Sequence, residues 1–368
     1  MDVTATSVRS RKCDKHAKRE KRKKHKKLAH VDKGIDKVRK RDKYAKRKLE
    51  KRKKKARPDK ASAALSECAS GVAFEQGLRP TMEDEHVLLD GIQAASTVPH
   101  TAFYAVLDGH GGPRVSARAA KWLQLEIVTR WKELSSMPSP EATDAILFDS
   151  FQIVEDSISR LAVRGQWIDG STCVAVLIVG DRLHCANLGD SRAVMCRAGA
   201  AVALSEDHKP DSPSELLRIR TTSTGIVTHF PGDCPRVNGD LALSRAFGDV
   251  RWKSTYASPP QVPAEFCLGN SMYCGFKPTG PAVSSLPDIT QHHFNSDVEF
   301  VIVACDGIWD MLDNDDAVQF VRARISVHGA EATSQLLVRH ALELGSTDNC
   351  TALIVVPRFG GPVCDPAL

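Results

Sequence analysis

Apolar positions along the chain fall into short unbroken runs separated by Gly, Asp and Asn. Phe103 to Leu107 is one such run, and Phe300-Val-Ile-Val-Ala304 repeats its character far downstream. Runs of this length, rich in β-branched and aromatic residues, predict buried strands. Thr172 to Val179 and Arg182 to Leu188 flank a Gly180-Asp181 turn, and Gly189-Asp190-Ser191 turns again into Arg192 to Arg197. Gly199 separates that run from Ala201 to Leu204, Val87 to Leu89 is a shorter apolar run, and Thr351 to Val356 reads as a last strand. Connections this short demand antiparallel neighbours, because a parallel pair needs a long crossover.

Helical spacing alternates with these strands. Val115 to Trp131 carries one apolar face, and Leu147, Phe151, Val154, Ile158 and Leu161 form a second stripe. Asp313-Asn-Asp-Asp316 has the character of a helix start leading into Ala317 to Ile325, and Ala332, Leu336, His340, Ala341 and Leu344 mark a helix that stops at Gly345. Residues 206–298 lack clear periodicity, and Lys253 to Pro287 reads as a long loop of the kind used for lids and binding flaps. The pattern predicts an α+β fold: a central antiparallel β-sandwich of two sheets flanked by α-helices, in α-β-β-α layers.

Charge divides the chain. Residues 1–60 hold 28 Lys+Arg against 8 Asp+Glu, a balance of +20, while residues 61–368 hold 23 against 37, a balance of −14. Too few apolar residues lie in the first segment to bury anything, so a disordered Lys/Arg-rich arm is expected over 1–60. Such an arm suits nuclear import, acidic proteins or nucleic acid. Tyr44 is its only aromatic residue, which argues against specific stacking on bases. A linker is expected over 61–70, a globular body from Gly71 to about 357 and a short tail over 358–368. The eleven cysteines include no CxxC pair, and several lie inside apolar runs, as free thiols of a reducing compartment do. No apolar run reaches the length of a membrane span. An intracellular protein of nucleus or cytoplasm, with no membrane partner, is expected.

The candidate chemistry lies where the strands end. Asp108 and Asp306 each follow a strand, Asp348 precedes the last, and Glu83 and Asp84 stand in a charged loop before Val87. Carboxylates cannot crowd together ionised unless cations neutralise them. Without Cys or His at metal-ligand spacing, oxygen-rich ligation favours Mg²⁺ or Mn²⁺ over Zn²⁺. Two such ions activate water and clamp an in-line phosphoryl displacement. Arg79 is placed to hold phosphate oxygens and His110 to protonate a leaving alkoxide.

On these residues the chain resembles the metal-dependent Ser/Thr protein phosphatases of type 2C. The matching stretches are Arg79-x3-Glu83-Asp84, Asp108-Gly-His-Gly-Gly112, Gly170-Ser-Thr172, Gly189-Asp-Ser-Arg192, Arg236-Val-Asn-Gly239 through Ser244-Arg-Ala-Phe-Gly-Asp249, Asp306-Gly-Ile-Trp-Asp310 and Asp348-Asn349, in that order. The resemblance implies hydrolysis of phosphoserine and phosphothreonine in proteins at a binuclear Mg²⁺ or Mn²⁺ centre. It implies that Asp108 bridges two ions, with the Gly109 carbonyl and Glu83 near one and Asp306 and Asp348 on the other. Asp84 and Asn349 would support the ligands from behind, and Asp190 corresponds to a position linked in some members to a third, weaker metal. Arg79 would bind the substrate phosphate and His110 would be the general acid.

Two segments depart from that pattern. Arg218-Ile-Arg-Thr-Thr-Ser-Thr-Gly225 lacks paired glycines, and the 253–287 stretch is longer than expected. Three other readings compete. A serine hydrolase is suggested by Gly189-Asp-Ser-Arg-Ala193, yet the fifth position is Ala rather than Gly and the flanking elements read strand-turn-strand. A catalytically inactive scaffold would be expected to lack some of the ligand set. A nucleic-acid-binding protein would rest on the arm alone.

Overall fold

The computed structural model describes residues 65–92, 99–221, 225–253 and 280–360. By its contacts the chain divides into Met1–Ala61 and Ser62–Leu368. The basic arm, most of the 253–287 loop and the end of the C-terminal tail lie outside the described residues.

In chain order, β1 (Leu65–Glu75), β2 (Glu85–Leu89), β3 (Thr101–Leu107) and the two-residue β4 (Gly109–His110) precede helices α1 (Arg114–Lys132) and α2 (Pro140–Gly165). Then come β5 (Gly170–Ser171), β6 (Cys173–Val179), β7 (Arg182–Leu188), β8 (Arg192–Arg197), β9 (Ala200–Ala203) and α3 (Pro213–Arg220). Short pieces follow: β10 (Val227–Thr228), β11 (Arg236–Val237), β12 (Phe247–Gly248) and α4 (Val250–Lys253). The chain closes with β13 (Asp288–His293), β14 (Val298–Ala304), α5 (Asp306–Trp309), α6 (Asn314–Arg322), α7 (Ile325–Glu343) and β15 (Cys350–Phe359).

Two five-stranded antiparallel sheets carry the fold, in the orders β1-β15-β14-β8-β9 and β13-β7-β6-β3-β2. The central strands are apolar without a break because both of their faces are buried. Successive side chains of a strand point to opposite faces. In β3, Phe103, Ala105 and Leu107 therefore join Leu123, Ile127 and Trp131 of α1 and Leu147, Phe151 and Ile158 of α2 in one cluster. Ala102, Tyr104 and Val106 face the other way and meet Met195, Val301, Val303 and Leu353 between the sheets. The second sheet repeats the device, with Phe300 and Ile302 packed among Ala317, Val321, Leu337 and Ala341 of α6 and α7. The expected α-β-β-α layering is what forms.

Caps agree with the local sequence. Ser139 accepts from the Ala142 amide at the start of α2, with Pro140 at its first position, and Asp313 accepts from the Asp316 amide at the start of α6. Leu161 lies at the rim of its stripe and is only part-buried, whereas Ala162 is buried in its place.

The expected boundaries change at both termini of the body. The linker expected over 61–70 gives way to β1 from Leu65, and the tail expected from 358 is still strand through Phe359. The two corrections have one cause, because Leu65 pairs with Phe359 and Glu67 with Arg358. Ser66 adds a side-chain hydrogen bond to the Arg358 carbonyl at 2.8 Å. Within the unreadable stretch, β13 has the polar sequence Asp-Ile-Thr-Gln-His-His and pairs with β7 at the sheet edge. A strand with so little apolar surface is held by its backbone ladder, which leaves little trace in hydropathy.

Candidate active site

Strand register gathers the acidic residues. Ala304 at the end of β14 pairs with Ala352 near the start of β15, and Glu75 at the end of β1 pairs with Cys350. Glu85 at the start of β2 pairs with Leu107 at the end of β3. The β1–β2 loop and residues 108–112, 305–310 and 348–349 therefore emerge at one edge of the sandwich. Arg79, Asp108, His110, Asp190, Asp306 and Asp348 line a single cavity of about 550 Å³ there. Glu83, Gly109 and Asn349 line it too, and Asp84 lies buried behind.

The β1–β2 loop is held from the strand opposite. Asn349 accepts from the Glu83 amide at 2.9 Å and donates to the Gln76 and Thr81 carbonyls at 2.8 and 3.0 Å. Glu83 accepts from the Gly112 amide at 3.0 Å and from Thr81 Oγ1 at 2.7 Å, while its carbonyl takes the Ser116 hydroxyl at 2.6 Å. Gly109 is a steric requirement, since a Cβ there would sit 2.4 Å from the Glu83 carbonyl oxygen. Asn349 thus anchors the loop that presents Arg79, Glu83 and Asp84.

Asp108 is oriented through its backbone, whose amide donates to Thr172 Oγ1 at 3.1 Å and whose carbonyl accepts from the Thr172 amide at 2.8 Å. Asp84 Oδ2 accepts from Thr351 Oγ1 at 2.7 Å, but Asp84 Oδ1 is buried with no partner. Burial raises the proton affinity of Asp84, Asp108 and Asp306, and neighbouring carboxylates raise it further. Asp84, Asp108 and Cys305 each bring a ligand-capable atom within 4.8 Å of the others. An orphaned buried oxygen among crowded carboxylates is the environment a hard divalent cation relieves, so the carboxylates fit a cation that takes oxygen ligands.

His110 Nε2 and Asp249 Oδ2 form a hydrogen bond of 2.7 Å. Burial opposes charge on the imidazole, but the Asp249 carboxylate outweighs it, and the proton affinity of His110 is raised. Asp249 is 139 residues from His110 in sequence and belongs to a stretch quoted above only as a motif, so nothing local pointed to the pair. Arg79 points into the same cavity, more than half exposed, with Nη2 2.6 Å from Asp348 Oδ2. Beyond Asp190, Lys209 Nζ donates to Asp190 Oδ2 at 2.5 Å, a contact the sequence reading did not anticipate. Arg236, Leu241 and Arg251 line the cavity as well. Arg218, from the segment without paired glycines, is bonded to the buried Glu215 at 2.8 Å.

Ser191, the nucleophile of the hydrolase alternative, is fully buried and bonded to Thr172 Oγ1 at 2.7 Å. It stands between two strands with no helix following it, so the geometry offers no nucleophile elbow.

Known proteins share the sequence pattern and the fold of this chain. The family model described as Protein phosphatase 2C matches residues 68–350. Protein phosphatase 2C homolog 2 of Schizosaccharomyces pombe is 36% identical over 257 residues, which are 69% of this chain and 62% of that protein. Probable protein phosphatase 2C 27 of Arabidopsis thaliana is 32% identical over 309 residues, 81% of this chain and 71% of that protein. Among solved structures, serine-threonine phosphatase 2C from Toxoplasma gondii superposes with a TM-score of 0.65 at 22% identity, covering 81% of this chain and 97% of that one. A Caenorhabditis elegans sex determining protein gives a TM-score of 0.63 at 25% identity over 79% of this chain and 65% of that one. The chain belongs to the protein phosphatase 2C family.

Proposed function

We propose that the chain hydrolyses phosphoserine and phosphothreonine in proteins, using two divalent cations, Mg²⁺ or Mn²⁺, held at the acidic edge of the sandwich. The observation that carries this reading is the meeting of Asp108, Asp306 and Asp348 with Arg79 and His110 in one cavity. Asp108, the Gly109 carbonyl and Glu83 would hold one ion, and Asp306 and Asp348 the other. When bound, such a pair neutralises the carboxylates and supplies an activated water for attack on phosphorus.

The remaining work falls to side chains. Arg79 is more than half exposed, which leaves it free to exchange part of its contact with Asp348 for the substrate phosphate, two of whose oxygens match its fork. As the ester P–O bond breaks, the departing serine or threonine oxygen needs a proton, and His110 holds one against burial through Asp249. Inorganic phosphate and a free hydroxyl are the products. Asp84 and Asn349 act on the ligands from behind, and Asp190 offers a third, weaker cation position. The arm of residues 1–60, with its +20 balance, serves as a nuclear address or a tether to acidic proteins or nucleic acid.

Phosphate release from a phosphothreonine peptide tests the reading. Turnover with Mn²⁺ or Mg²⁺ that EDTA abolishes is expected, and a folded protein inert with either ion would overturn it.

A further inference from the structure

The residues behind the cavity contain a cation of their own. Lys209 follows the loop after β9 and lays its ammonium on Asp190, Nζ to Oδ2, at 2.5 Å. Asp190 is buried, so this contact is poorly screened by water. Asp306 and Asp310 stand at the two ends of the single turn α5, four residues apart and hence on one face. Both lie within electrostatic reach of the same ammonium and of Asp190. Three carboxylates therefore share one positive charge.

We propose that Lys209 is a tethered counter-ion that competes with a divalent cation for Asp190, and so sets how weakly the third cation position of this centre is filled. The inference rests on the cation-dependent reading above and adds a specificity residue to it. With the ammonium seated, Asp190 is already neutralised and one of its oxygens is occupied by a donor. A divalent ion that takes Asp190 as a ligand must push Nζ aside. Lysine suits the role, because its charge sits on a flexible stem that can withdraw without breaking a bidentate fork.

Mn²⁺ titration followed by electron paramagnetic resonance of the free ion tests this, with no substrate present. The weakest Mn²⁺ equivalent of Lys209→Met should bind at least about tenfold tighter than that of the wild-type chain, as expected from removing a unit charge at contact distance. Lys209→Arg keeps the charge and should show no gain, binding the weakest Mn²⁺ no tighter than the wild-type chain, and adding Asp190→Asn to Lys209→Met should erase the gain. Should Lys209→Met fail to fold, as judged by circular dichroism, Lys209→Gln is read by the same criteria. An unchanged weak affinity in the neutral variant overturns the competition while leaving the two-cation reading intact. Absence of any Mn²⁺ binding by the wild-type chain would instead overturn that reading, and this inference with it.

Discussion

Gly170 decides whether His110 and Asp249 can meet. A Cβ at this position would lie 2.1 Å from Asp249 Oδ2 and 2.3 Å from His110 Nε2, so only glycine lets the two side chains meet. Asp249 itself adopts a left-handed φ of 48°, an uncommon backbone state for a residue with a side chain. The sign of its effect on His110 follows from the opposing influences: burial lowers the imidazole's proton affinity and the Asp249 charge raises it, with the charge prevailing. Asp249→Asn removes the charge and leaves the burial. The protonated form should then be lost at lower pH, moving the alkaline limb of the kcat profile to lower pH. The KM for a phosphopeptide should change little. A limb that stays in place would remove His110 from the role of proton donor. This pair was invisible locally, because a residue partner 139 positions away leaves no periodicity behind. Asp108, Asp306 and Asp348 were legible for the opposite reason, since each stands at one end of an apolar run.

At the scale of elements, strands buried on both faces announce themselves and edge strands do not. β3, β6 and β14 are apolar throughout because one set of side chains meets helices and the alternate set meets the other sheet. β13 is polar, and the first half of β1 carries only Leu65 and Cys68 into the core, so backbone pairing to distant strands defines them. The β1–β2 loop belongs with these hidden features. Its order comes from Asn349, which spends its side chain on three backbone groups of residues 76–83. Asn349→Ala should cost about 2 kcal/mol in urea denaturation, the scale of buried polar groups left unsatisfied. Amide exchange should quicken in residues 76–84 and leave β3 protected. Uniform loss of protection across both strands would show that Asn349 supports the sandwich as a whole instead of the loop.

For the whole molecule, charge asymmetry is as informative as the fold. Net charges of +20 and −14 in one chain predict a mutual attraction at low ionic strength, and salt would shorten its range to about 8 Å under physiological conditions. Removing residues 1–60 should therefore change phosphopeptide turnover more at low salt than at high salt. An equal effect at both would assign the arm a role independent of the body's charge. The measurement that bears most directly on the centre itself pairs Mn²⁺ binding with turnover in the same samples, for the wild-type chain and Asp306→Asn. Asp306 is the one carboxylate that belongs to both the main cavity and the α5 turn, so its neutralisation should weaken Mn²⁺ binding and abolish metal-dependent hydrolysis of a phosphothreonine peptide together. Wild-type turnover by Asp306→Asn, or hydrolysis that persists in EDTA, would contradict a cation centre built from the acidic strand ends.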